Sequence, residues 1–302
     1  MAKLKNVLRY PGGKTRALKY ILPIIPKNFS EFREPFIGGG SVFLAIKQDI
    51  KPNAIFKIND LNYDLYCFWK YAKEDINTLV KEINKIKQTE LDGKKLFNDY
   101  TNNNNYNDFE RAVRFFILNR ITFSGTVDSG GYSQQAFEGR FTQSSIDKLT
   151  LLPEILKDVK ITYGDYKELL FQDGKDVFIF LDPPYYRQAK SKLYGTNGHL
   201  HTSFNHKRFA EDMKECNHKW LITLDNSPEI KELFNFAYIY EWELQYGMNN
   251  YKQEKAEIGK ELFISNYKIE EKKDEKIIEL PKKDIEKTLE EVIPEKKKSE
   301  KK

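Results

Sequence analysis

Short apolar runs recur along the first 269 positions, separated by stretches in which apolar residues return every three or four places. Phe32–Ile37, Ala54–Ile58, Val159–Tyr163, Val177–Leu181, Trp220–Leu224, Ala237–Leu244 and Leu262–Tyr267 are rich in aromatic and branched residues and read as strands. Strands alternating with helical segments predict an α/β fold, a mostly parallel sheet covered by helices.

The alternation breaks between about Leu61 and Leu156. A long helical stretch (Leu61–Lys87), a polar interruption at Asn102–Asn105 and a second helical stretch (Asp108–Asn119) precede a Gly/Ser-rich segment from Ser124 to Ser133 that runs on to Phe141. Such a segment does not fit between two central parallel strands, so it predicts an inserted, mainly helical subdomain with an exposed loop or hairpin. Residues 270–302 hold 22 charged residues in 33, with neither aromatic residues nor glycine, and predict a solvated, disordered tail. The expected division is a main domain from 1–60 and 157–269, an insert at 61–156 and the tail at 270–302.

The chain has 302 residues, enough for a sizeable core, with 50 Lys+Arg against 45 Asp+Glu. The tail is neutral, so the net charge of +5 belongs to residues 1–269. That excess is compatible with a polyanionic partner but does not demand one. No apolar run approaches the roughly 20 residues of a membrane span, and no apolar segment follows the basic N-terminus, so the chain reads as cytoplasmic. Cys67 and Cys216 have no metal-ligand spacing and read as ordinary thiols.

Glu34-Pro35-Phe36-Ile37-Gly38-Gly39-Gly40 follows a predicted strand and opens a helical run. Glycines there permit a sharp turn and close approach of a ligand to the backbone. Asp60 ends the next strand, 22 residues beyond Gly38, where a carboxylate can accept both hydroxyls of a ribose. Glu34 would repel a pyrophosphate and suits a cationic amine. S-adenosylmethionine carries both the amine and the ribose. Arg9-Tyr10-Pro11-Gly12-Gly13-Lys14 lacks the spacing of a phosphate loop, and Lys14 can instead neutralise a ligand carboxylate. Asp182-Pro183-Pro184-Tyr185 ends the apolar run Val177–Leu181, at the sheet edge where open α/β sheets bind ligands. Asp182 with a neighbouring carbonyl makes an acceptor pair for an NH₂ group, and Tyr185 offers a face to a planar ring.

These motifs, in this order, resemble the Dam-like, or D12, class of DNA adenine-N6 methyltransferases over most of residues 7–268. The resemblance implies a Rossmann-like methyltransferase sheet using S-adenosylmethionine, with a DNA-recognition subdomain inserted between the glycine loop and the catalytic motif. It implies that Tyr10, Lys14 and Glu34 to Gly40 hold the methionine part of the cofactor and Asp60 its ribose. Asp165 and Tyr166 would lie beside the cofactor adenine, and Asp182 between cofactor and target base. No metal is required. The target adenine of double-stranded DNA would swing out and stack on Tyr185. Leu118 to Phe141 resembles the family's recognition segment and implies DNA contacts from Arg120, Phe123 and Arg140. GATC-specific members carry a Tyr-Asn pair where this chain has Phe123-Ser124, so the resemblance leaves the recognition sequence, GATC included, open.

The expected activity is methylation of a specific duplex sequence, by a solitary methylase or beside a restriction endonuclease cutting the same site. Cytosine N4, RNA adenine or a protein amide would also suit the acceptor pair, and a non-catalytic DNA-binding protein could use the same fold. Deleting residues 270–302 is expected to leave methyl transfer intact.

Overall fold

The structure, a computed structural model, describes residues 3–103, 105–127, 130–186, 204–245, 258–270 and 277–280. Its centre is an eight-stranded sheet in the order β3-β2-β1-β4-β5-β7-β6-β8. The strands are β1 (Glu31–Glu34), β2 (Ile55–Asp60), β3 (Val159–Tyr163), β4 (Val177–Leu181), β5 (Lys219–Asp225), β6 (Tyr238–Gln245), β7 (Ile258–Ser265) and β8 (Ile277–Glu279). β1 to β5 run parallel, while β6, β7 and β8 pair antiparallel.

β4 is buried at every position because both faces of the sheet are covered. Alternate side chains divide between two cores: Phe178 and Phe180 enter one, Val177, Ile179 and Leu181 the other. The first core contains apolar residues from helices α1 (Ser41–Ala45), α2 (Tyr63–Glu74), α3 (Ile76–Thr89), α4 (Gly93–Asn102) and α5 (Asp108–Ile121). The second contains residues of α7 (His206–Glu215) and α8 (Pro228–Leu233). α6 (Gln134–Arg140) lies between α5 and β3 in the chain.

All seven strands read from the sequence are present. The helical stretch Leu61–Lys87 is two helices, because Asp75 leaves helical geometry (φ −150°) and its carboxylate caps Thr78 N–H at 3.2 Å. α2 packs on β2 and β3 and against α5, so it serves as the crossover between those parallel strands. α5 opens on a reciprocal cap between Asn107 and Glu110. The antiparallel bridge Thr122↔Tyr132 follows α5, and Phe123 N–H donates to Gly131 O at 3.0 Å.

One expectation for the tail needs correcting. Ile277–Glu279 forms β8 on the edge of β6, with Ile277 buried in the first core. A short apolar pair among charges can still complete an edge when a partner strand offers unused backbone groups.

Candidate active site

Parallel strands that share a direction place their carboxyl ends along one edge. Glu34 ends β1, Asp60 ends β2, Asp182 follows β4 and Asp225 ends β5. β1 lies between β2 and β4, and the connections diverge there, which is where open α/β sheets bind ligands.

The glycine turn after β1 is shaped by its neighbours. Gly38 (φ +45°) and Gly40 (φ +68°) adopt left-handed conformations, and a Cβ on Gly38 would meet the Tyr10 ring at 2.9 Å. Trp69 Nε1 donates to Gly38 O at 3.2 Å, and Asn59 Nδ2 donates to Pro35 O (3.2 Å) and Gly164 O (2.9 Å), tying the ends of β1, β2 and β3 together. Asp60 accepts from Gly38 N–H and Asn62 N–H, each at 3.0 Å. Burial nevertheless pushes its carboxyl up to about 6, with backbone donors opposing. Glu34 is buried and accepts from Phe43 N–H at 2.8 Å. Burial raises its carboxyl well above the ordinary range despite that bond, and the charges of Asp182 and Asp60 add to the effect. A cation beside Glu34 would offset this cost.

Asp165 and Tyr166 follow β3 and diverge in environment. Tyr166 is buried, stacks on Phe36 at 5.4 Å and donates to Asp212 at 2.7 Å. Asp165 is half-buried and accepts from Arg208 Nη2 at 3.0 Å.

Asp182 is held by several partners. Lys14 Nζ reaches both of its oxygens, at 2.7 and 2.8 Å, and also Gly12 O at 2.9 Å. Lys14 is only 6% exposed, and its ammonium lies 4.9 Å from the centroid of the Tyr185 ring. Thr223 on β5 donates to Asp182 Oδ1 at 2.6 Å. The two prolines deprive the turn of N–H donors. Side chains hold it instead: His206 Nε2 meets Pro184 O at 2.8 Å, Tyr185 OH donates to Glu261 at 2.8 Å, and Tyr186 N–H donates to Asp225 at 2.6 Å. Burial lowers the His206 pKa, so its imidazole favours the neutral form, with Nε2–H donating.

The site thus brings together Tyr10, Lys14, Glu34, Asp60 and Asp182 at one edge. Residues 10–248 match the family described as D12 class N6 adenine-specific DNA methyltransferase. The chain belongs to that family. As a D12 methyltransferase it is an enzyme specific for adenine in DNA, on the mixed α/β fold described above. It is similar to the Type II methyltransferase M.MjaIII of Methanocaldococcus jannaschii, 27% identical over 70% of this chain and 76% of that protein. It is similar also to the Type II methyltransferase M1.LlaDCHI of Lactococcus lactis, 22% identical over 87% of this chain and 96% of that protein. A DNA adenine methylase of Vibrio cholerae is 26% identical over 61% of this chain and 66% of that protein.

The residues of the D12 methyltransferase expected to meet DNA fare differently. Phe123 is 67% exposed beside the bridge after α5, and Arg140 is exposed at the end of α6. Arg120 is buried, hydrogen-bonded through Nη2 to Val7 O and set over the Phe116 ring, while its Nε has no hydrogen-bond partner among the described residues. Burial lowers its pKa to about 10, with Arg9 and Arg140 adding like charge. Arg120 therefore supplies positive potential from within rather than an exposed guanidinium. Its neighbour Asn119 is also buried. Its Oδ1 accepts from Arg9 N–H at 2.9 Å, and its Nδ2 donates to Arg9 O (2.9 Å) and Gly125 O (3.0 Å).

Sequence reading passed over Asn119, Thr223, Glu261 and His206. Their partners lie between 6 and 110 residues away in the chain, and for Asn119, Thr223 and Glu261 the one available signal was a polar residue within or beside an apolar run.

Among the described residues, no helix is long and apolar enough to cross a membrane.

Proposed function

We propose that this D12 methyltransferase uses S-adenosylmethionine to methylate N6 of an adenine swung out of a specific duplex sequence, in the cytoplasm. The reading rests chiefly on Asp182, a carboxylate anchored at the end of β4 beside an aromatic face and next to the carboxylates of β1 and β2. The residues fit the cofactor: buried Glu34 suits its amine, Asp60 keeps lone pairs for ribose hydroxyls, and the Gly38–Gly40 turn admits close approach. Tyr10, Pro35 and Phe36 shape the same turn, and Asp165 with Tyr166 would flank the cofactor adenine. When bound, the sulfonium supplies an already activated methyl group.

The remaining chemistry belongs to the chain. The adenine N6 lone pair is delocalised into the ring, so the amine is a poor nucleophile. Hydrogen bonds from the NH₂ to Asp182 and to Pro183 O favour a pyramidal nitrogen and stabilise the positive charge developing on it. Tyr185 provides the stacking surface for the extruded base, and Pro184 keeps the turn rigid.

Residues 61–156 carry the target-recognition segment beyond the crossover helix α2, with Phe123 as a wedge, Arg140 on phosphate or a base edge, and Arg120 reinforcing the local field. Residues 1–60 and 157–269 form the catalytic domain. Relatives named Type II methyltransferases support a modification role beside a restriction endonuclease cutting the same site.

The test is incubation with S-adenosylmethionine and unmethylated duplex DNA, digestion to nucleosides and mass spectrometry for N6-methyldeoxyadenosine, with Asp182→Ala as control. Product from the unmutated protein alone supports the reading. Equal product from Asp182→Ala would refute the assigned role.

A further inference from the structure

Thr223 is the one polar residue inside the run Trp220 to Leu224. Its neighbours Ile222 and Leu224 enter the second core, so Thr223 projects to the opposite face of the sheet. Asp182 projects to that face as well, two residues beyond Phe180, which enters the first core. Parallel pairing aligns Leu181 with Ile222, which sets the next residues of the two chains level. The hydroxyl and carboxylate are therefore cross-strand neighbours, joined at 2.6 Å.

A valine would serve the packing of this strand position equally well, so the hydroxyl is the informative part. Thr223 is fully buried, where a hydroxyl is costly unless it is hydrogen-bonded, and among the described residues Asp182 accepts its hydrogen bond. The two carboxylate oxygens are thereby made unequal. Among the described residues, Oδ1 receives Thr223 and Lys14, whereas Oδ2 receives Lys14.

We propose that Thr223 is a positioning residue for methyl transfer, fixing the plane of the Asp182 carboxylate so that Oδ2 is the oxygen presented to the target amine. The inference rests on the assignment of Asp182 as acceptor of that amine. Without the hydroxyl the carboxylate rotates about its Cβ–Cγ bond, a soft torsion, and the acceptor geometry needed at the moment of transfer is populated less.

The experiment uses the full chain with unmethylated genomic DNA and radiolabelled S-adenosylmethionine, measuring the single-turnover methylation rate and cofactor affinity. Thr223→Val keeps the shape and removes the hydroxyl, and Thr223→Ser keeps the hydroxyl and removes the methyl group. Thr223→Val is expected to slow single turnover about tenfold, with cofactor affinity held within about twofold. Thr223→Ser is expected within about threefold of the unmutated rate. An undiminished rate in Thr223→Val, or a Ser variant as slow as the Val variant, would overturn the proposal. So would a loss confined to cofactor affinity. Asp182→Ala in the same assay separates the two layers. Full activity there removes the assignment of Asp182 itself, whereas an inactive Asp182→Ala beside an unimpaired Thr223→Val removes only the role of Thr223.

Discussion

Asn119→Ala tests whether one buried amide joins the N-terminal motif to the segment after α5. The side chain makes three hydrogen bonds, two to the backbone of Arg9 and one to Gly125 O. Each is worth about 1 kcal/mol net, and buried groups left without partners cost about 1–3 kcal/mol more. Gly125 cannot move in to compensate, because its backbone (φ +75°) already lies against Arg9, so close that a Cβ at this position would collide with Arg9 O. The expected destabilisation is about 3–5 kcal/mol, a large fraction of the roughly 5–15 kcal/mol of a typical fold. Urea titration should show a midpoint lowered by roughly 1 M or more at unchanged slope, given a slope near ~3 kcal/mol/M. Asn119→Asp should be at least as damaging, since it turns an acceptor toward two carbonyls. A midpoint shift below about 0.3 M in Asn119→Ala would refute the accounting.

Cofactor binding should depend on pH. Asp60 titrates near 6 instead of 3.8, and Glu34 is raised in the same direction. The ionised forms are the ones that serve ribose hydroxyls and an amine, so affinity for S-adenosylmethionine should rise with pH through about 6 as Asp60 ionises, with the raised Glu34 carboxyl adding dependence in the same direction. Calorimetric titration from pH 5 to 8 checks this, and a flat profile would count against both assignments. In the protein alone the sign is opposite: the raised Asp60 carboxyl makes the fold lose stability as pH climbs from about 4 to 6, and the raised Glu34 carboxyl acts in the same direction. Gly40→Ala should cost about 2–4 kcal/mol in thermal or urea unfolding, because φ is +68° and the new Cβ would sit 2.9 Å from the Trp69 ring. Arg140→Ala should weaken DNA binding at all sequences and reduce the slope of log affinity against log salt by about 1, measured by fluorescence anisotropy. An unchanged slope would remove Arg140 from the phosphate contacts.

The sheet was legible because burial on both faces leaves the most direct trace a sequence carries, short branched and aromatic runs. The glycine turn and the Asp182 motif were legible because backbone geometry restricts which residues can occupy them. Arg120 shows where such reading ends. An arginine beside a Gly/Ser-rich segment reads as a surface contact, and only the folded chain shows it buried, with its guanidinium donating to Val7 O and set over the Phe116 ring. The break at Asp75 was open to inspection as a capping residue followed three places later by Thr78, but an acidic residue in a polar helix face looks the same. Thr223 and Glu261 could not be assigned without knowing which strands are neighbours, because their partners lie 41 and 76 residues away.

Strand β8 bears on where this chain can be shortened. β6 would otherwise end the sheet with a row of backbone donors and acceptors, a ready template for joining a second molecule. Ile277 to Glu279 covers the middle of that row, at Tyr240 to Trp242, with a three-residue strand too short to recruit another. Truncation at 269 would therefore trade solubility for brevity, and self-association of such a protein would masquerade as loss of activity. A boundary at 280 keeps the edge sheathed.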